Sequence, residues 1–364
     1  MRKTSDIKRF GFQKEHFSDV FVADQFPNLV ELVSHELRTP LTSLFGVLEL
    51  LNSGHFGSLS EEGQHFLDIA IRSAARLKRL ADAISNEPAI SMAILSDDKI
   101  AELQLENALV SAFDRQEFHL LYQPIVAINT GEVNGFEAFA RWHHGEKGWI
   151  PPHTFIPLAE KIGLMHRLAL WSIEQACGQL QIWQQQFVCP SPLTMSINLS
   201  VLQFSQPGLV EQIQQILQSR QVDPTCLTLK ISESTILPNP EQAIAGLAQL
   251  RSLGIRFYID DFGAAYSLLG HLKDLPIDVL KIDQALIREH NWEMSEVILL
   301  IAERLGLEVI ADGVETPEEL RSLQALGCKQ MQGYFFSQPV DSQAASLLLA
   351  TTTSKSAGQA IPFN

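Results

Sequence analysis

Residues 257–269 read FYIDDFGAAYSLL. Phe257, Tyr258 and Ile259 are apolar or aromatic, Asp260 and Asp261 follow, and Gly263 comes just after. This is the pattern of a strand that ends in a polar turn. Two neighbouring carboxylates repel each other. Either they serve an Asx-type turn at the strand end, or a divalent cation removes the repulsion, magnesium and manganese favouring such oxygen ligands.

Outward from this stretch, strand-like runs alternate with helical patterns from Phe118 onward. The runs are HLLYQPIVAI, VNGFEAFARW, LTMSINLS, LTLKISES, IRFYIDDFG, VLKID, LEVIADGVE and MQGYFF. Amphipathic helices are predicted over 157–186, 207–220, 240–253, 292–305 and 317–326. Strands and helices in this order predict an α/β fold, a modified (β/α)8 TIM-like barrel. The tight INTGEV turn at 128–133 joins the first two runs as a hairpin, so the first strand is expected antiparallel to its neighbour.

Polar residues then gather at successive strand ends: Glu137, Asn198, Glu233, Asp260 with Asp261, Lys281 with Asp283, Glu315 and Gln332. In such a barrel these ends open on one face. So many carboxylates with a single lysine predict added positive charge. Two divalent ions about 3.5–4 Å apart would neutralise them and clamp an in-line attack on phosphorus.

The strings EAFARW, SINLS, LKISES, IDDFG, LKID, GVET and QGYFFSQP resemble, in order and spacing, the EAL-domain phosphodiesterases that hydrolyse cyclic di-GMP. The resemblance covers residues 103–348. It implies a cyclic-guanylate-specific phosphodiesterase that linearises cyclic di-GMP to pGpG with two magnesium or manganese ions. By match, Glu137, Asn198, Glu233 and Asp260 would ligate one metal, and Asp260, Asp261 and Glu315 the second. Glu137, Lys281 and Glu315 are the implied catalytic residues, with Lys281 orienting the attacking water and Glu315 a candidate base. Gln123, Arg141, Asp283 and Gln332 are the implied substrate contacts, Arg141 offering its planar fork to a phosphate.

Several positions depart from the family pattern. Ala264 and Ala265 stand where Thr-Gly follows DDFG, Lys230 replaces the acid before Ile-Ser-Glu, Asp312 replaces the glutamate before Gly-Val-Glu, and Phe139 replaces the leucine of the family name. An alanine where a glycine takes a positive φ would strain the loop 264–268 by about 1 kcal/mol or more. Slow turnover is the expected consequence, and the alternative to an enzyme is a cyclic di-GMP receptor or signalling adaptor. His143 and His144 are adjacent in a loop and diverge, so they are not expected to ligate metal.

Upstream, residues 1–27 form an arm of unassigned role. Leu37, Leu41, Leu44, Leu48 and Leu51 recur at alternating steps of four and three. Phe66, Ala70, Ser73, Leu77, Leu80 and Ile84 repeat the seam, and Ser58 with Glu61 have capping-box spacing. Two such helices form a hairpin, and two hairpins pair into a dimeric four-helix bundle, so a homodimer is expected. Within it, SHELRTPL (34–41) resembles the phosphoacceptor box of sensor histidine kinases, over residues 28–86. That makes His35 a phosphoacceptor candidate and the hairpin a docking face for a response regulator or a histidine kinase. No ATP-binding domain follows. A linker spans 87–102, and a tail 349–364.

The chain has 364 residues, 46% of them hydrophobic, and a formal net charge of -15. That balance argues against a nucleic-acid binder working by phosphate neutralisation. Cys177, Cys189, Cys226 and Cys328 form no CxxC pair; reduced thiols in a cytoplasmic protein fit best. Neither a signal peptide nor a membrane span is expected.

Overall fold

A computed structural model describes residues 97–199, 208–236, 240–263 and 271–353, together with scattered positions between Leu44 and Ala74. The chain divides into two compact units, Met1–Gln104 and Leu105–Asn364.

In the first unit every described position from Leu44 to Ala74 is helical. Leu67 and Ala74, seven apart, are buried, whereas Ser73 is exposed. Residues 1–27, His35, Ser58 and Glu61 lie outside the described residues.

After helix α1 (Asp97–Ala112) the second unit begins a closed barrel. Strands β1 (Phe118–Ala127) and β2 (Glu132–His144) form the predicted antiparallel hairpin, with Gly131 at φ 70° in its turn. A short β3 (Gly148–Ile150), not foreseen, folds back on the end of β2. Helices α2 (Pro152–Lys161) and α3 (Met165–Gln186) follow, then β4 (Thr194–Asn198), α4 (Leu209–Arg220) and β5 (Leu227–Ser232). Next come α5 (Glu233–Ile236), α6 (Pro240–Arg251), β6 (Arg256–Phe262), β7 (Val279–Ile282), α7 (Gln284–Arg288) and α8 (Trp292–Leu305). The unit closes with β8 (Glu308–Ala311), α9 (Pro317–Ala325), β9 (Gln330–Met331) and α10 (Ser342–Thr353).

The strands pair in the order β1-β9-β8-β7-β6-β5-β4-β2, and β2 returns to β1, closing eight strands. Only β1 among these runs antiparallel to both neighbours. No helix among the described residues is long and apolar enough to cross a membrane.

The period of two along each strand sorts side chains between the helices and the barrel interior. Leu227, Leu229 and Ile231 of β5 join the large core that faces the helices. Inside the barrel, Ile125, Tyr258, Val279 and Ile310 make a small apolar layer. Two residues further along come Asp260 of β6, Lys281 of β7 and, just past the end of β8, Asp312. A charged layer thus lies directly on an apolar one.

The predicted helix 157–186 is two helices. Gly163 at φ 73° ends α2, and Leu164 N–H reaches back to Ala159 O at 2.8 Å, a glycine-stopped helix end. Of the run MQGYFF only Met331 is in a strand, the short β9 being Gln330–Met331. Gly333 lies against the backbone of Val314 with no room for a Cβ, so the chain turns there instead of extending. The predicted tail starts inside α10, where Leu349 is fully buried.

Candidate active site

Glu137 lies in β2, opposite Gln123 of β1 and Ser196 of β4. Its side chain is 1% exposed, and both oxygens are taken. Lys230 Nζ of β5 pairs with Oε1, while Lys281 Nζ of β7 lies 2.7 Å from Oε2. Lys230 also reaches Asp260 Oδ2 at 2.7 Å, and Lys281 reaches Asp312 Oδ2 at 2.7 Å. Asp260 Oδ1 is 3.9 Å from Lys281. Four strands and the residue after a fifth so converge on two buried ammonium groups.

Charges this deep persist only when paired. Burial raises the pKa of Glu137, but Lys230 and Lys281 outweigh it and hold the carboxyl well below the usual range. Burial lowers that of Lys281, yet Asp312, Glu137 and Asp260 keep it well above the ordinary lysine value. Lys230 is likewise raised: burial opposes the charge, and Glu137 and Asp260 overcome both burial and the repulsion of Lys281.

Gln123 and Gln332 brace this cluster from behind. Gln332 Nε2 donates to Glu137 Oε2 at 3.0 Å and to Gln123 Oε1 at 2.8 Å. Gln123 Nε2 donates to Ser337 O at 3.0 Å. Both glutamines are buried, and through these hydrogen bonds the two expected substrate contacts also brace Glu137.

Asp260 and Asp261 lie within β6 and not in a turn after it. β6 continues to Phe262, and its register with β7 shifts between Ile259 and Phe262. Asp261 takes φ 54° at this irregularity, and such bulges re-aim side chains beside functional sites. Partial burial, then the charge of Asp260, push the Asp261 carboxyl up to about 6. Asn198 ends β4 and is exposed, while Glu233 opens α5 and is buried. The loop 264–268 lies outside the described residues.

Asp283 caps α7, its Oδ1 accepting from Ala285 N–H. Glu315 is exposed on the loop before α9. That loop is fixed by a capping box: Thr316 Oγ1 accepts from Glu319 N–H at 3.2 Å, and Glu319 Oε2 accepts from the N–H groups of Thr316 and Glu315. The spacing Thr-Pro-Glu-Glu signals this cap in sequence. Arg141 is partly buried, with its guanidinium carbon 5.3 Å from the centre of the Phe139 ring. Lys230 Nζ lies 5.9 Å from the same centre. His144 Nδ1 accepts from Glu146 and Lys147 N–H, a turn contact.

A divalent ion on Glu137, Asn198, Glu233 and Asp260 would need carboxylate oxygens that Lys230 and Lys281 hold. Among the described residues no group of three or more His, Cys, Asp or Glu side chains is placed to hold a metal ion. As the side chains stand, the oxygens through which Glu137 and Asp260 would hold the first implied ion are paired with Lys230 and Lys281. Read from sequence, Lys281 is the single cation at this mouth; the structure adds Lys230. Its signal was the alternation in LTLKIS, which puts Thr228, Lys230 and Ser232 on the face opposite the three apolar residues.

Residues 106–339 match the EAL domain, and residues 28–86 match the His Kinase A (phospho-acceptor) domain. The bifunctional diguanylate cyclase/cyclic di-GMP phosphodiesterase MucR of Pseudomonas aeruginosa is 33% identical over 287 residues, 78% of this chain and 42% of that protein. The oxygen sensor protein DosP of Escherichia coli is 37% identical over 66% of this chain and 30% of its own length. The cyclic di-GMP phosphodiesterase NbdA of Pseudomonas aeruginosa is 35% identical over 66% of this chain and 31% of its own. The chain spans less than half the length of each of these relatives. Among solved structures, a PaMucR phosphodiesterase in complex with c-di-GMP superposes with a TM-score of 0.63 at 35% identity, covering 66% of this chain and 99% of that one. The EAL enzyme Bd1971, bound to cAMP and cyclic-di-GMP, gives 0.65 at 30% identity over 77% of this chain and 75% of that one. By the matched span and these likenesses, the chain belongs to the EAL-domain family.

Proposed function

We propose that the barrel is a cyclic di-GMP phosphodiesterase that opens the ring to pGpG. The observation that carries this reading is the convergence of Glu137, Asp260 and Asp312 on Lys281 within the barrel. Attack on a phosphodiester places negative charge on the phosphoryl oxygens, and fixed cations in a low-dielectric site stabilise it. Lys281 has three N–H donors; Glu137 and Asp312 take two, which leaves one for an attacking water. Arg141 is the candidate clamp on a phosphate, and Glu315 the candidate base. The named activity of NbdA and the c-di-GMP held by the PaMucR structure support the substrate.

A second reading, a receptor that binds cyclic di-GMP without cleaving it, is favoured by one observation: Lys230 occupies carboxylates that catalysis would use. Incubation of the purified chain with cyclic di-GMP and manganese separates the two. Appearance of pGpG supports the phosphodiesterase, saturable binding without product supports the receptor, and the absence of both product and binding rules out both. Magnesium or manganese belongs in the assay because the family resemblance implies it.

The segment 28–86 is proposed as the dimerising and docking module through which activity is regulated, with a response regulator or histidine kinase as partner. Light scattering should then give twice the 40.6 kDa chain mass. A mass equal to one chain at micromolar concentration would contradict the dimer.

A further inference from the structure

Lys230 is a full-length cation built into the barrel wall, its side chain 7% exposed. Its ammonium bridges Glu137 and Asp260, carboxylates from two other strands. A bridging position between two carboxylates is where a shared divalent ion would sit. The remaining Glu137 oxygen is held by Lys281 and Gln332. The Phe139 ring stands beside its ammonium, and Lys281, paired with Asp312, takes the other oxygen of Glu137. Phe139, Lys230 and Asp312, three of the departures from the family pattern, thus meet in one cluster.

We propose that Lys230 is an internal counter-cation that takes the place of a divalent ion between Glu137 and Asp260, so that the chain binds no metal at that position. This rests on reading the barrel mouth as the phosphodiesterase centre. Both carboxylates are neutralised without metal, and an ion entering the gap would meet a like charge at contact distance.

The test is manganese binding to the purified full chain, without nucleotide, followed by the magnetic resonance signal of free aqueous manganese. Lys230→Gln strands Glu137 and Asp260 with less countercharge. It should bind one additional manganese ion per chain, at least about tenfold tighter than any weak binding by the native chain at this position. Lys230→Arg keeps the cation and should behave as the native chain does. If Lys230→Gln lacks a cooperative melt in EDTA, recovery of that melt on adding manganese supports the proposal, and failure to recover counts against it. A folded Lys230→Gln chain that binds no more manganese than the native chain overturns it. The readout needs no turnover. A gained manganese site in a protein that ignores cyclic di-GMP would sink the phosphodiesterase and keep the counter-cation. Production of pGpG with the same manganese titration in both chains would do the reverse.

Discussion

Lys281 Nζ lies 2.7 Å from Glu137 Oε2, joining β7 to β2 across the barrel interior. Glu137 is also the countercharge of Lys230, so it holds two ammonium groups apart. Glu137→Gln would leave both lysines facing a neutral amide. Breaking a buried pair in this way costs about 3–5 kcal/mol. Urea unfolding should show that loss as a lower midpoint; a cost below about 1 kcal/mol would mean that the lysines are not held by Glu137.

Gln332 is buried behind Glu137 and donates to it at 3.0 Å. As a positioning residue it should affect rate and not substrate affinity. Gln332→Ala is expected to lower kcat with KM unchanged, and to cost about 1–3 kcal/mol of stability. A raised KM with kcat unchanged would return Gln332 to the substrate contacts.

Much of this was legible because the barrel repeats one rule. Along β6, β7 and β8 an apolar interior residue is followed two positions later by a charged one: Tyr258 and Asp260, Val279 and Lys281, Ile310 and Asp312. Period two alone places these on one face. What period two cannot give is distance across the barrel. The meeting of Lys230 with Glu137 joins strands that do not pair, and closure of eight strands sets it. The same limit hid the contact of Gln123 and Gln332 with Glu137: the β1–β2 register and the turn at Gly333 bring the two amides together behind it. Local signals were missed too: Gly163 splits a helix, and Thr316 with Glu319 caps another.

The capping box at Thr316 fixes the loop that carries Glu315. Thr316→Ala should cost about 1 kcal/mol and loosen Glu315 without touching the buried cluster. The expected outcome is slower hydrolysis with cyclic di-GMP affinity retained, read by product formation beside equilibrium binding. Full activity in Thr316→Ala would remove Glu315 from the candidate bases.

The four cysteines are free. Burial pushes the Cys177 thiol up to about 12 and the Cys328 thiol up to about 11. Both stay protonated at pH 8, and the thiolate is the reactive form. Cys189 is the least buried of the four. A thiol reagent at pH 8 should label Cys189 first, with Cys177 and Cys328 labelled only on unfolding. Mass spectrometry of peptides checks this; early labelling of Cys177 would contradict the packing of α3 on the barrel.

The most direct test of the account is hydrolysis by the native chain beside Lys281→Met, with cyclic di-GMP binding measured on both. The cluster of Lys281, Glu137, Asp260 and Asp312 is held to be the catalytic centre. The account predicts pGpG from the native chain and none from Lys281→Met, while both bind cyclic di-GMP. Equal rates of pGpG formation by the two chains would contradict it.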